Sequence, residues 1–345
     1  MDLTIAAILG LDGLTNGAIY ALVALALVLV FSVTRVIFIP QGEFVAFGAL
    51  TLASLQLGKV PGTVWLLLLM AVAVAALDLV QGLRERRAPS RLFFGLLQTL
   101  SFPVFVAVTA PMFVQQQHSL IVQVVATLFI VTCMGPLLYR LAYRALSGAS
   151  VLTLLIVSVG VHFALTGVGL VFFGAEGYRT PPFWDARFDV GPLSFTGQTL
   201  IIFGASVALL LGMWLFFERS LMGKALRATS VNRTGARLMG ISGDAAGSLS
   251  FTMAAFIGAL SGLLISLSTT IYYDTGFLIG LKGFVAAVFG GLASFPMALA
   301  GAIGVGLIES FGSFWASAFK EVIVFTVILP ILLWRSFVDP HHEEH

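Results

Sequence analysis

Apolar residues fall along this chain in long runs, parted by short stretches that hold most of the charge. A helix crossing ~30 Å of hydrocarbon needs roughly 20 apolar residues, fewer where it is broken. Runs of that kind lie at 14–33, 38–57, 63–82, 93–114, 119–138, 151–173, 200–217, 246–270, 278–292, 296–312 and 320–336. They predict an all-α integral membrane protein, a polytopic helix bundle of about 10–11 segments. The pair 278–292 and 296–312 is short, rich in glycine and split by Phe295-Pro296, so it reads as two spans or as a broken, re-entrant hairpin. Met1–Gly13 is a candidate for a segment lying along the interface. It has no basic n-region, so a cleaved signal peptide is not expected.

Composition agrees with this pattern. Apolar residues make up 59% of the 345 and charged residues 10%, against ~45–50% and ~25% in soluble domains. So few charges cannot cover so much apolar surface in water, which excludes a soluble enzyme, a disordered chain and a secreted disulfide scaffold. Cys133 is the single cysteine, so no internal disulfide forms. The net charge of +2 is too small to argue for a nucleic-acid partner.

The placement of charge carries more than its sum. Thirteen of the 18 basic residues fall in alternate connections: Arg35; Arg84, Arg86, Arg87 and Arg91; Arg140 and Arg144; Arg219, Lys224, Arg227, Arg233 and Arg237; and Arg335. The other set holds Lys59, Arg179, Arg187, Lys282 and Lys320. Basic residues concentrate on the cytoplasmic side, so the first set is read as cytoplasmic, the N-terminus as outside and the C-terminus as inside. Within one domain over 1–338, followed by a tail at 339–345, two connections are long enough to do more than join helices. The external one, 174–199, carries Tyr178, Phe183, Trp184, Phe188 and Phe195 beside Arg179 and Arg187, with a turn expected at Val190-Gly191-Pro192-Leu193. It is either an interfacial aromatic belt or a landing surface for an external partner. The cytoplasmic one, 218–242, carries five basic residues, with Leu221, Ala225, Ala228, Leu238 and Met239 placed for apolar helical faces and Gly240 suited to a left-handed residue past a helix end. A loop that only obeyed the charge rule would not need 25 residues. The alternative is a short surface helix that docks into another protein.

Ionisable groups at membrane depth are costly and line a water-filled path or meet a partner. Glu43 stands in Ile39-Pro40-Gln41-Gly42-Glu43-Phe44, where Pro40 and Gly42 break the helix and free backbone groups for a cavity. Gln41, Gly42 and Glu43 are therefore candidates for a translocation path, with Asn16 near an outer entrance and Lys282 at the mouth of a later segment. Asn16 is equally read as a helix cap, and Lys282, Glu309, Asp274, Lys320 and Glu321 as outer ion pairs. Asp78 is placed to reach the headgroups, and His162 reads as a packed, hydrogen-bonded histidine. Gly258-Ala-Leu-Ser-Gly262 and the stripe Gly301, Gly304, Gly306 predict close helix packing. A weak echo links Gln41–Ser54 with Leu281–Ser294; the two segments cross in opposite directions, as an inverted repeat requires.

No Gly-x4-Gly-Lys-[Ser/Thr] loop occurs, Gly223-Lys224-Ala225 being the nearest fragment, and His-Glu-x-x-His is absent. His341, His342 and His345 cluster in the tail, where a frayed end is expected. With no nucleophile–base constellation and no cofactor motif, the chain is expected to move a solute, not to convert one.

Four stretches resemble the permease subunits of branched-chain amino acid ABC importers, of the LivH type. They are Asp12-Gly-Leu-Thr-Asn-Gly-Ala-Ile-Tyr20, Arg35-Val-Ile-Phe-Ile-Pro-Gln-Gly-Glu43-Phe, Arg227-Ala-Thr-Ser-Val-Asn-Arg-Thr-Gly-Ala-Arg-Leu-Met-Gly-Ile241 and Gly280-Leu-Lys-Gly-Phe-Val-Ala-Ala-Val-Phe-Gly-Gly-Leu-Ala-Ser-Phe-Pro296. The resemblance implies a bacterial-type inner-membrane importer with a second permease subunit, two ABC ATPase subunits that hydrolyse ATP in this chain's stead, and an extracytoplasmic solute-binding protein. It also implies that 218–242 is the ATPase-coupling segment, with Arg227, Asn232, Ala236, Arg237, Leu238, Met239 and Gly240 as its candidate residues. The sequence departs from the family at Phe38, Pro40 and Gln41, where Asn, Ala and His are usual, at Met297, where Gly is usual, and at Arg335-Ser-Phe-Val-Asp-Pro. The solute is thus left open between hydrophobic amino acids and urea, short amides or other small solutes. An ion-coupled secondary transporter is the rival reading.

Overall fold

The computed structural model describes residues 3–333 save 87, 117, 192, 328 and 332. Arg335, the far end of the run at 320–336 and the tail with its histidines lie outside the described residues. The chain forms α1 (Leu3–Thr34), α2 (Gln41–Gln56), α3 (Gly62–Arg84), α4 (Pro89–Gln115), α5 (Leu120–Leu138), α6 (Val151–Phe173), a hairpin of β1 (Arg187–Val190) and β2 (Leu193–Thr196), α7 (Gly197–Arg219), α8 (Leu221–Val231), α9 (Arg233–Leu238), α10 (Gly243–Ile265), α11 (Thr275–Phe289), α12 (Phe295–Ala316) and α13 (Lys320–Thr326). Among the described residues, eight helical stretches are long and apolar enough to cross a membrane. The molecule is a polytopic α-helical membrane protein.

Two of the expected spans do not reach across. At ~1.5 Å per residue, the 16 residues of α2 and the 15 of α11 rise ~24 and ~22 Å, short of the ~30 Å of hydrocarbon. Each is completed by irregular chain, Arg35–Pro40 before α2 and Ser266–Asp274 before α11. Such chain survives at depth only inside protein, and α2 is buried along all of its length except Gln56. The runs at 296–312 and 320–336 begin as α12 and α13, joined by the 3-10 turn Ser317–Phe319. Met1–Gly13 does not lie apart as an interfacial segment in its described part, because α1 is continuous from Leu3.

The centre is built from α1, α2, α10 and α11 with one face of α12 packed on it, while α4, α6 and α7 turn most of their surface outward. Gly258 and Gly262 let α10 close on α2, against Phe44 and the Val45 carbonyl. Gly301 and Gly306 pack against α11 and α1; Gly304 of the same stripe faces open space. The sequence echo pairs helix with helix over Leu281–Phe289 and parts at Gly290–Ser294, which is the turn after α11 where Gln41–Ser54 is all helix.

The connections sort to two ends. At the basic end, Arg140 pairs with Asp78, and Arg144 Nε meets Asp244 Oδ2 at 3.0 Å. At the other end, Tyr178 bridges Ile271 and the hairpin stands with Arg187 opposite Thr196 and Phe188 opposite Phe195. The expected turn falls at Gly191, with φ of +62°. The Trp184 ring stands edge-on to Phe188, which stacks on Phe195, so the loop's aromatics pack on one another.

Candidate functional site

Two groups of residues bear on function, one at mid-depth and one at the basic end. The first begins where α1 stops. Arg35 adopts φ of +60°, a left-handed conformation that side chains disfavour, and this turns the chain inward. The stretch Arg35–Pro40 carries Phe38 into the interior and delivers α2 with its first turn fully buried. Gln41 points to α10, its Nε2 donating to the Ala254 carbonyl at 3.0 Å. Glu43 points to α6, its Oε1 2.6 Å from His162 Nδ1. The Phe277 ring of α11 stacks on the His162 ring at 4.5 Å, and Thr166 Oγ1 lies 3.5 Å from the same Nδ1. Glu43 is 1% exposed and His162 6%. Two acceptors here, Gln41 Oε1 and Glu43 Oε2, are buried with no hydrogen-bond partner. Buried polar atoms are usually satisfied, so a pair of orphaned acceptors at one helix start marks a polar centre built for more than packing. Glu43 also sits in the first turn of α2, where the helix dipole favours a negative charge.

Gly42 fixes the spacing of this centre. A Cβ on it would collide with the Gly276 carbonyl, and one on Gly276 with the Gly42 carbonyl, so the starts of α2 and α11 touch backbone to backbone. Gly42→Ala should therefore destabilise the chain by about 1–3 kcal/mol, the usual cost of overpacking, seen as a lowered Tm in detergent. Gly167→Ala on α6, where a Cβ meets open space, should leave Tm unchanged.

The other two path candidates are not in this centre. Asn16 lies half-buried well inside α1, so it is not a helix cap, and stands one turn from Tyr20. Lys282 is 6% exposed and faces the other way: its Nζ donates to Glu309 at 2.6 Å and to Glu321 at 3.1 Å, while the Tyr20 hydroxyl donates to Glu309 at 2.5 Å. Those outer ion pairs tie α1, α11, α12 and α13 together. His162 is the residue that sequence reading left off the candidate path. Its signal was present, since it is an ionisable side chain deep in a span, but a partner 119 residues away carries no local mark.

The second group is the segment 218–242. Ser220 caps α8, accepting from Gly223 N at 2.9 Å, and Asn232 caps α9, accepting from Gly235 N at 2.8 Å. Gly240, with φ of +83°, closes α9 as a Schellman motif, in which Ile241 N reaches the Ala236 carbonyl. The inward face of α8 is Gly223, Leu226 and Thr229, not Leu221 and Ala228, which are exposed. Gly223 is the reason: it sits against the Phe216 and Phe217 backbone, where a larger residue would not fit. Ala236 is buried, and Arg233 donates from Nε and Nη2 to the Val33 carbonyl at 3.0 and 2.5 Å, satisfying an orphan carbonyl at the end of α1. Burial, then Arg35 and Arg237, hold the Arg233 pKa below the ordinary arginine value. Arg227 pairs with Glu218 at 2.8 Å, and Arg237 is exposed. Leu238 and Met239 are each 83% exposed, as is Val231 at the end of α8. An apolar patch rimmed by arginines, on helices pinned to the core, has the form of an interaction surface.

A family model described as branched-chain amino acid transport system / permease component matches residues 100–332, which take in His162 and the whole of 218–242. The high-affinity branched-chain amino acid transport system permease protein BraD of Pseudomonas aeruginosa is 26% identical over 338 residues, covering 94% of this chain and 92% of that protein. The corresponding protein LivH of Escherichia coli is 29% identical over 216 residues, 61% of this chain and 70% of LivH. A probable LivH of Methanocaldococcus jannaschii is 29% identical over 199 residues, 56% of this chain and 63% of its own length.

Proposed function

The chain belongs to the family of permease components of branched-chain amino acid transport systems, and from that premise we propose that it is a transmembrane subunit of an ATP-driven importer of branched-chain or other hydrophobic amino acids. It is one permease domain in a bacterial-type inner membrane, with its hairpin end and N-terminus outside and its basic end in the cytoplasm. ATP is hydrolysed on two separate ATPase subunits, a second permease completes the membrane unit, and an extracytoplasmic binding protein delivers the solute at the hairpin end. The segment with Arg227, Asn232, Ala236, Arg237, Leu238, Met239 and Gly240 receives the ATPase, and Gln41, Gly42 and Glu43 stand on the path.

The observation that carries this reading is the exposed Leu238–Met239 patch on helices anchored through Arg233 and Ala236. A push on α9 passes to the end of α1 through Arg233 and, by the short turn that ends in the Ser242 cap, to the start of α10. Packed elements answer such a push by shifting between discrete arrangements.

Met239→Glu tests it. In proteoliposomes with the co-purified partners, stimulation of ATPase by loaded binding protein should fall about tenfold, as expected when a charge enters an apolar contact. Stimulation and uptake at the parent level would remove α9 as the coupling surface. Uptake driven by an ion gradient without ATP would instead favour secondary transport, a reading that the buried Glu43–His162 pair suits.

A further inference from the structure

Toward the basic end of the molecule a groove of about 410 Å³ runs between α1 and α7, within the ~300–1,000 Å³ of small-molecule sites. It exists because α7 packs thinly. Beyond its start at Gly197–Gln198, α7 buries one residue per turn, Ile202, Ser206, Leu209 and Met213. Its last turns lean instead on the Phe217 ring, which meets Phe295 at the start of α12 at 5.9 Å. Helix α8 turns back beneath them through Gly223. Thus α1 is the floor of the groove, α7 and the start of α12 are its walls, and α8 is its lip.

The lining is graded along the axis. Leu25 and Leu29 of α1 and Leu210 and Met213 of α7 make the deep part apolar. Ser32, Glu218, Arg227 and Ser230 are the polar side chains, and all stand where α1 and α7 end or on α8. From Leu25 to Val33 the floor rises ~12 Å, less than half of a ~30 Å hydrocarbon layer. The groove therefore lies within one leaflet, with its apolar end among the acyl chains and its polar end at the headgroups. Trp214 is 59% exposed and stands one turn before Glu218, the level at which amphipathic rings settle in a membrane surface. Leu211 and Leu215 beside it are exposed too, so the outer edge of the groove is apolar.

Arg227 is the cation at the mouth. Glu218 meets it at 2.8 Å, but the two side chains are 63% and 45% exposed, and so exposed a pair holds weakly. A phosphate, which a guanidinium can grip with two hydrogen bonds, can displace the carboxylate. Lys224 and Ser230, three residues before and after Arg227, share its face of α8. We propose that the groove binds an anionic phospholipid, with one acyl chain laid between α1 and α7 and the phosphate held at Arg227 and Ser230. Such a lipid fills the gap beside α1 and ties α8 to the bilayer. A phosphatidylcholine fills the same apolar space but brings its own cation to the arginine, so selection is made at the headgroup. The site requires only that the chain spans a membrane, not that it imports a solute.

The test is quenching of Trp214 by lipids brominated on their acyl chains. In the full chain the other four tryptophans, Trp65, Trp184, Trp315 and Trp334, are changed to Phe. The protein is placed in phosphatidylcholine vesicles with rising fractions of brominated phosphatidylglycerol or, separately, brominated phosphatidylcholine. Half-quenching should need about fivefold less of the phosphatidylglycerol, the preference that one basic side chain confers at an anionic surface. Arg227→Gln should bring the two fractions together and leave the phosphatidylcholine curve in place, which misfolding would not do. Glu218→Gln, which removes the competing carboxylate, should widen the ratio. A chain that keeps Trp65 alone, at the start of α3, should show equal fractions. Equal fractions at Trp214, a preference that outlives Arg227→Gln or recurs at Trp65, a ratio narrowed by Glu218→Gln, or no quenching by either lipid, as when a protein segment fills the groove, overturns the site. Neither uptake nor ATPase activity enters the readout, so its failure leaves the importer reading standing, and failure of the Met239→Glu test leaves the lipid site standing.

Discussion

His162→Leu should destabilise the solubilised chain by about 3–5 kcal/mol and abolish uptake, whereas Glu43→Gln should leave the fold intact and cut uptake about tenfold or more. The asymmetry follows from burial. Glu43 Oε1 has His162 as its hydrogen-bond partner, and Oε2 has none. Without the imidazole, a carboxylate that is 1% exposed keeps only the dipole of α2 to set against its lost hydration. Removing one partner of a buried pair costs far more than removing the charge itself. Glutamine at position 43 keeps the shape, places no charge in the interior and can donate to the imidazole in its neutral form. Thermal unfolding in detergent measures the first effect and uptake into proteoliposomes the second. The double variant, Glu43→Gln with His162→Leu, should regain most of the stability lost by His162→Leu alone, because the unpaired charge is gone. Equal stability of His162→Leu and the parent would mean that Glu43 is not held by His162, and the polar centre would lose its claim on the path.

What the sequence disclosed and what it hid divide along a physical line. The run at 151–173 coincides with α6, and those at 63–82 and 93–114 lie inside α3 and α4, because an apolar run long enough to cross a membrane leaves the backbone no choice but helix. The break before Glu43 was legible too, since Pro40 and Gly42 announce it, and α2 begins at Gln41. Partners were not legible. The outer group was the exception, since Lys282, Glu309 and Glu321 were read as ion pairs and do pair; Glu43 and His162 are 119 residues apart, and local pattern carries no information on which spans become neighbours. The inward face of α8 was misjudged for a different reason. A pattern of apolar side chains counts what a residue adds, while α8 packs through Gly223, which makes contact by adding nothing. The same blindness hid the meeting of Gly42 and Gly276, on which the depth of the site depends. Phe38 stood out as a departure from the family motif, but its ring contacts with Tyr143 and Phe251 were not legible, since those two look like any other apolar residues until the fold brings them together.

Lys282→Met should release α13 from the bundle and lower stability by about 3–5 kcal/mol. Lys282 is the cation between Glu309 and Glu321, with side-chain exposures of 7%, 9% and 33%. Taking the ammonium away leaves two carboxylates facing each other across the turn at Ser317–Phe319, one of them deeply buried. Tyr20 continues to donate to Glu309, but one hydroxyl cannot offset two like charges. Hydrogen exchange should show α13 opening while α10, remote from the triad, keeps its protection. Glu309→Gln should cost less, because Lys282 keeps Glu321 and Tyr20 keeps an acceptor. Combining Lys282→Met with Glu309→Gln should recover part of the loss, because a single carboxylate then remains. The experiment also separates the two readings of Lys282. A brace that fails takes stability and uptake down together, and uptake returns in part with the double variant. A path residue would lose uptake at unchanged stability, and the double variant would restore none of it.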